Sequence, residues 1–334
     1  MAADRIAVLG AGSVGCFIGG AWAAAGLPVS FIGRPGIARD IHKHGLTLTD
    51  YDGWRAVMEG VDFSCVPAPL SEAGIVLLAV KSGATAEAAR EIAEHGSEGA
   101  LVISFQNGVS NIDTLERELG GRFRIVRGMV PFNVAYLGKG HFHKGVAGEL
   151  WVEQRRETAE LAQRVSSGPA SLRLSDDMVG VAWGKLLINL NNAVNALSGR
   201  SLIEQLRDRD YRRVVAASQR EGLRLLRQAG IRPAKVGPLP PWLIPSVIGA
   251  PDWLFNALAA RSWKIDAKAR SSMADDLAAG RRTEVDQLNG ELVALAQRLG
   301  LDASVNRKIV ELVRAAEEGA PPLNGAELRE AVLG

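Results

Sequence analysis

The stretch "RIAVLGAGSVGCFIGG", residues 5–20, constrains the fold more than any other part of the chain. An apolar run that suits a buried strand leads directly into Gly10, Gly12 and Gly15, and a helix-like run follows. In such a turn the first glycine permits a tight bend, the second lets the backbone approach a pyrophosphate, and the third lets helix and strand pack closely. This position between a strand and a helix predicts dinucleotide binding. The predicted cofactor loop comprises Gly10, Ala11, Gly12, Ser13, Val14 and Gly15.

The same alternation of strand-like and helix-like runs continues through the first half of the chain. The runs that are apolar nearly throughout, and therefore suit a sheet covered on both faces, are "RIAVLG", "PVSFIG", "GIVLLAV" and "ALVISF". The stretches "SVGCFIGGAWAAAG" and "SGATAEAAREIAEHG" are typical of helices. This order predicts a parallel, doubly wound sheet with right-handed crossovers. Strand-like segments such as "RFRIVRGMV" and "GELWVEQ" extend to about residue 155.

The second half of the chain is predicted to be all α-helical. From about Asp176 nearly every segment has helical periodicity. Five prolines between residues 236 and 253 forbid one regular helix there and indicate a loop or short broken helices. A chain of 334 residues is long enough for two cores. We therefore predict an α/β protein with an N-terminal Rossmann-type parallel-sheet domain, residues 1–175, and a C-terminal all-α domain, residues 176–334.

Composition excludes several classes of function. A formal net charge of +2 gives no field that would gather nucleic acid or a membrane surface. Cys16 and Cys65 are too few for a disulfide framework, and the five histidines lack the spacing of metal ligands. The N-terminus shows no signal peptide, and no run reaches membrane-spanning length. We expect a reduced, cytoplasmic protein without a metal.

Arg34, Lys81 and Asn107 each follow a predicted strand at its carboxyl end, where open α/β sheets bind ligands. Arg34 stands where an NAD-preferring site would offer a carboxylate, and its fork of donors suits a phosphate, which favours NADP. Each residue also has a structural interpretation. Arg34 could be a solvated loop residue, Lys81 an exposed lysine at a helix start, and Asn107 with Gly108 an ordinary turn.

The stretch "AWGKLLINLNNAVNAL", residues 182–197, combines an apolar helix with a polar stripe. Lys185 and Asn189 share one helical face, and Asn192 continues it. Because unsatisfied polar groups are costly in a core, the stripe predicts the wall of a polar cleft. The alternatives are a lysine that reaches solvent and amides that cap neighbouring helices.

Residues 269–293, "ARSSMADDLAAGRRTEVDQLNGELV", carry Ser272 and Glu284 in a dense polar segment. Taken alone, these residues favour structural roles. Ser272 would cap a helix that begins at Met273, and Glu284 would lie on a solvated helix face.

Taken together, the motifs resemble the ketopantoate reductase (2-dehydropantoate 2-reductase) family. The likeness runs from about Arg5 to about Val313, and its motifs occur in the same order: "GAGSVG", "GRPG", "VKS", "QNG", "WGKLLINL" and "SSMADDLAAGRRTEVDQLNG". The resemblance implies a Rossmann domain, a helical domain, and a cleft that closes on NADPH and a small 2-oxo acid. The implied reaction is the reduction of 2-dehydropantoate to pantoate, a step of pantothenate biosynthesis.

The resemblance also assigns roles to individual residues. Lys185 falls on the catalytic lysine and Glu284 on the active-site glutamate, which also contacts the cofactor. Residues implied to contact cofactor or substrate are Arg34 at the 2′-phosphate, Lys81 in the cleft, Asn107 near nicotinamide and substrate, Asn189 at the substrate, and Ser272 at its carboxylate. Family members commonly form dimers, and the sequence does not decide whether this chain is a homodimer.

Ala193 departs from the family pattern, which has a second asparagine there to grip the substrate hydroxyl. Either Asn192 or Asn195 replaces that amide, or the substrate lacks the hydroxyl. A reductase of a different 2-oxo acid therefore remains an alternative, as does a dinucleotide-binding sensor without turnover. A sensor would require neither Lys185 nor Glu284.

Overall fold

A computed structural model describes residues 4–262 and 269–334 of the chain. The chain divides into two compact units, Met1–Met178 and Val179–Gly334. The first unit contains both sheets, and every regular element described in the second unit is a helix.

The described residues of the first unit form twelve strands and five α-helices. The strands are β1 (Ile6–Leu9), β2 (Val29–Ile32), β3 (Leu46–Asp50), β4 (Arg55–Met58), β5 (Phe63–Ser64), β6 (Ile75–Leu78), β7 (Leu101–Ser104), β8 (Arg124–Met129), β9 (Val134–Gly138), β10 (His141–Lys144), β11 (Leu150–Glu153) and β12 (Leu172–Ser175). The helices are α1 (Ser13–Ala24), α2 (Pro35–His44), α3 (Thr85–His95), α4 (Asn111–Leu119) and α5 (Arg156–Arg164).

The main sheet has eight strands in the order β12-β11-β8-β7-β6-β1-β2-β5. The predicted strands form β1, β2, β6 and β7, which pair in parallel, so the predicted fold class is confirmed. One pair differs from the prediction of a wholly parallel sheet, because β11 runs antiparallel to β8. Between these two strands the chain forms β9 and β10 instead of a crossover helix, and parallel neighbours need such a crossover.

A second, four-stranded sheet with the order β4-β3-β10-β9 was not predicted from the sequence. The Leu-Thr alternation of β3 is nevertheless typical of a strand with one buried face, and Leu46 and Leu48 are fully buried. Helix α1 lies between the sheets. A Cβ at Gly19 would come within 2.6 Å of Val8 in the main sheet, and one at Gly20 within 2.8 Å of Leu48 in the second.

The core of the first unit lies on both faces of the main sheet. Ile6 and Val8 of β1 pack into one apolar cluster, while Ala7 and Leu9 pack into the cluster on the opposite face. Alternate residues of a strand point to opposite faces, so a strand covered on both sides must be apolar throughout. This burial explains the uninterrupted apolar runs of the sequence.

The second unit is built from helices, as predicted. They are α6 (Met178–Asn189), α7 (Asn191–Ser198), α8 (Leu202–Arg207), α9 (Arg209–Gln228), α10 (Ile244–Ile248), α11 (Asp252–Ser262), α12 (Ser272–Ala278), α13 (Asn289–Leu299), α14 (Ser304–Glu317) and α15 (Gly325–Leu333). The proline-rich stretch forms only the short α10 before α11 begins, in line with the predicted broken helices. No helix in the described part of the chain is long and apolar enough to cross a membrane.

Candidate active site

The loops that follow β1, β2, β6 and β7 lie side by side at the carboxyl edge of the main sheet. The backbone N–H groups of Gly10 and Ala11 donate to the carbonyl of Ile32, at 3.1 and 2.9 Å. The N–H of Phe105 donates to the carbonyl of Leu78 at 2.9 Å. The parallel register therefore brings the glycine loop and the later motifs to one edge.

The three loop glycines differ in how much space a Cβ atom would have. Gly10 has φ 95°, and a Cβ there would lie 2.5 Å from the nitrogen of Val80. A Cβ at Gly15 would lie 2.4 Å from the carbonyl oxygen of Gly10. At Gly12 the nearest atom to such a Cβ is 4.0 Å away, so this position borders open space.

The N-terminus of α1 is not capped by a side chain at Gly12. The first N–H groups of a helix have no intrahelical partner, and they carry the positive end of the helix dipole. Together with the open space at Gly12, they make a cradle that fits a pyrophosphate.

Arg34 ends the loop after β2 and precedes the first turn of α2. Its side chain is exposed, and within the described residues its guanidinium forms no hydrogen bond or ion pair. A Cβ at neighbouring Gly33 would be 2.9 Å from that of Ala11, so this loop touches the glycine loop.

A buried polar network fixes the loops that carry Lys81 and Asn107. The Ser82 hydroxyl donates to the carbonyl of Asn107 at 2.7 Å. The Gln106 amide donates to the Thr85 hydroxyl at 2.8 Å. Lys81 is exposed and Asn107 half-buried beside this network. Sequence reasoning missed Gln106 and Thr85, although the "QNG" motif itself contains the glutamine.

In the second unit, Lys185 lies half-buried on α6. Burial lowers the pKa of Lys185 to about 8, and the Glu284 carboxylate opposes this shift. Asn189 lies one turn further along the same helix and is also half-buried. The structure thus places a lysine of lowered pKa within the field of a carboxylate, beside an amide.

The predicted helix over residues 182–197 is interrupted at Leu190, so Asn192 belongs to the first turn of α7. Ala193 is fully buried. Asn195 is fully buried as well: its oxygen accepts from the Ser271 N–H at 2.9 Å, and its nitrogen donates to a backbone carbonyl at 3.1 Å. Asn195 is therefore engaged in holding the backbone, while Asn192 is half-buried.

The predicted cap of α12 was wrong by one residue. The helix begins at Ser272, and Ser271 caps it by accepting from the N–H of Ala274 at 3.2 Å. The Ser271 hydroxyl also donates to the carbonyl of Asn192 at 3.1 Å. The capping function is thus filled by Ser271, and the side chain of Ser272 is exposed.

Other residues of this motif hold the loop that carries Glu284. The side chain of Arg281 donates to the carboxylate of Asp276 at 3.0 Å. The hydroxyl of Thr283 donates to the carboxylate of Glu317 at 2.7 Å. Sequence reasoning assigned no role to Asp276 or Thr283. The partner of Thr283 lies 34 residues away in the chain, whereas Asp276 pairs with Arg281 of the same motif. Within residues 4–262 and 269–334, no group of three or more His, Cys, Asp or Glu side chains is arranged to hold a metal ion.

Comparisons with known proteins cover both units. Residues 6–157 match the family model "Ketopantoate reductase PanE/ApbA", and residues 177–317 match its C-terminal model. A 2-dehydropantoate 2-reductase of Pyrococcus abyssi is 27% identical over 325 residues, which cover 94% of this chain and 98% of that protein. A ketopantoate reductase family structure from Ralstonia eutropha JMP134 is 30% identical with a TM-score of 0.81, covering 94% and 98%. A D-mandelate dehydrogenase solved with NADH and anilino(oxo)acetate is 19% identical with a TM-score of 0.79, covering 94% and 98%, and shares the fold.

Proposed function

The chain belongs to the ketopantoate reductase family, and from that premise we propose that it reduces a small 2-oxo acid to the 2-hydroxy acid with NADPH. The first substrate to consider is 2-dehydropantoate, whose reduction to pantoate serves pantothenate biosynthesis. The observation that carries this proposal is the half-buried Lys185, whose pKa is lowered to about 8 and which lies in the field of Glu284. Such a lysine suits proton donation near neutral pH.

The cofactor would be held at the carboxyl edge of the main sheet. The uncapped start of α1 and the open space at Gly12 suit the pyrophosphate. The guanidinium of Arg34 would bind the 2′-phosphate, which supports NADP over NAD. Lys81 and Asn107 lie on the adjoining loops and would complete the contacts. When bound, NADPH supplies the hydride that reduces the C2 carbonyl.

Lys185 would provide the proton. Below pH 8 its amine is mostly an ammonium, which donates a hydrogen bond to the substrate carbonyl oxygen. As negative charge develops on that oxygen, the ammonium stabilises it and transfers a proton to it. The neutral amine then takes a proton from solvent. Glu284 favours the charged lysine and so keeps the donor ready.

Polar groups on α7 and α12 would hold the substrate next to Asn189 of α6. The hydroxyl of Ser272 is not used as the helix cap and would bind the substrate carboxylate. Asn195 is engaged with the backbone, so Asn192 is the amide that would replace the one missing at Ala193.

The substitution at Ala193 also supports a second candidate, a reductase of a 2-oxo acid without the hydroxyl. The test compares initial rates of NADPH oxidation with 2-dehydropantoate and with its analogue that lacks only the hydroxyl. Preference for 2-dehydropantoate supports the first substrate, and preference for the analogue supports the second candidate. Absence of turnover with a wider panel of 2-oxo acids contradicts the reductase proposal.

A further inference from the structure

A pocket of about 860 Å³ lies in the second unit, next to the last two turns of α9 and the segment that follows them. Four of its lining residues are the arginines Arg220, Arg224, Arg227 and Arg232. None of the residues proposed for the reduction lines it. The pocket has a size typical of small-molecule sites, which are about 300–1,000 Å³.

Three of the four arginines of this pocket lie on one helix face. Arg220, Arg224 and Arg227 are spaced by four and three residues on α9, so they lie on one face of the helix, and Arg232 follows. All four side chains are exposed. Like charges at this spacing repel one another. The repulsion would be relieved by an anion with several charges.

None of these four guanidinium groups forms a salt bridge with a carboxylate of the described residues. Arg220 and Arg224 donate instead to backbone carbonyls, those of Pro245 and Asp302. A carbonyl leaves the positive charge uncompensated. Elsewhere in the same unit the pattern differs, since Arg314 pairs with Asp286 at 2.8 Å.

Trp242 gives the pocket an aromatic surface. Its side chain lines the pocket and is 69% exposed, although an indole normally buries most of its area. Leu223 and Ile231 add apolar surface nearby. An aromatic face beside guanidinium groups suits a ligand that joins a planar ring to phosphates.

We propose that this pocket binds a nucleoside polyphosphate. The arginines bind the phosphate chain, for which their planar donors are suited, and Trp242 stacks on the base. No residue of the glycine loop lines this pocket, and the proposal does not depend on the substrate of the reductase.

The test titrates ATP into the full-length protein by calorimetry, with excess NADP⁺ present to fill the glycine-loop site. We expect one ATP site that is retained in NADP⁺, binds tripolyphosphate more weakly, and does not bind adenosine measurably. Affinity should fall with salt, because the contacts are charged. Loss of ATP binding in excess NADP⁺, or no binding of ATP at about 1 mM, overturns the proposal.

Variants locate the site. R227Q/R232Q should weaken ATP binding at least about tenfold, since it removes two charged contacts. R213Q is the matched control, because Arg213 is an exposed arginine of the same helix that does not line the pocket. W242L should weaken binding of ATP but not of tripolyphosphate, a difference that general unfolding would not produce. Unchanged ATP affinity in R227Q/R232Q overturns the assignment.

Discussion

Two candidate sites differ in the chemical groups that form them. One lies at the carboxyl edge of the main sheet, and the other lies in the α6–α7–α12 region of the second unit. At the sheet edge the decisive groups are backbone N–H donors and the absence of side chains at Gly10, Gly12 and Gly15. In the second unit they are side chains, chiefly Lys185 and Glu284. The first kind of site follows from strand register, whereas the second depends on contacts between distant segments.

The two regions should therefore respond to opposite kinds of mutation. Adding a methyl group should damage the sheet edge, because its glycines leave no room for one at two positions. Removing polar atoms should damage the second unit, because its site and its supporting hydrogen bonds are made of them.

Lys185→Ala should have the largest effect. Removing the proton donor should lower kcat by about 10²–10⁴-fold, while NADPH affinity stays close to that of the wild type. Steady-state kinetics and a fluorescence titration with NADPH measure the two quantities. Lys235→Ala is the matched control, since Lys235 is an exposed lysine of the same unit. Turnover that survives in Lys185→Ala would remove the lysine from the mechanism.

Arg34→Ala should weaken NADPH binding by about 10–100-fold, because a charged hydrogen bond contributes about 1.5–3 kcal/mol. NADH lacks the 2′-phosphate, so its affinity should hardly change. The measurement is the ratio of the two dissociation constants in variant and wild type. Arg39→Ala serves as the control, since Arg39 is an exposed arginine of α2, the helix that follows Arg34. An equal loss for both cofactors would contradict the 2′-phosphate contact.

Gly10→Ala and Gly12→Ala should separate folding from cofactor binding. At Gly10 the new Cβ meets the Val80 nitrogen and the backbone has φ 95°, so the free energy of unfolding should fall by about 1–3 kcal/mol. At Gly12 there is space for a methyl group, so stability should hold while NADPH binding weakens. Thermal melts and titrations check both. Equal destabilisation of the two variants would contradict the geometry.

The same difference between local and long-range features determined which elements could be predicted from the sequence. The strand-glycine-helix order of residues 5–20 is local, so it was sufficient to predict β1 and α1 with the glycine loop between them. The second sheet was missed because β3 and β10 are short and pair across 90 or more residues of chain, as Leu48 does with Phe142. No local pattern reports such a pairing.

The candidate site of the second unit was predicted mainly by resemblance. Periodicity placed Lys185 and Asn189 on one face, but it did not show that Leu190 interrupts the helix. Composition gave no reason to prefer Ser271 over Ser272 as the cap, since both are serines at a helix start. That choice depends on Asn195, which is 76 residues away in the chain.

The pH dependence sharpens the assignment of the lysine. A proton donor with a pKa of about 8 is charged below that pH, so kcat/KM for reduction should be level below pH 8 and fall about tenfold per pH unit above it. Glu284→Gln removes the carboxylate that raises this pKa, so the fall should begin at lower pH. A fall that starts at the same pH in both proteins would contradict the coupling.

The smallest effect concerns two neighbouring asparagines of α7. Asn192→Ala should raise KM for 2-dehydropantoate about two- to tenfold, the value of one neutral hydrogen bond, and should leave KM for the analogue without the hydroxyl unchanged. Asn195→Ala should instead lower the free energy of unfolding by about 1–3 kcal/mol, because the buried Ser271 N–H loses its acceptor.

Kinetics with both acids and thermal melts of both variants separate these roles. If Asn192→Ala affects the two acids equally, the amide does not recognise the hydroxyl, and the buried Ala193 then favours a substrate without one. If Asn195→Ala instead keeps wild-type stability and loses substrate affinity, Asn195 binds the substrate hydroxyl. The roles proposed for Asn192 and Asn195 would then be reversed.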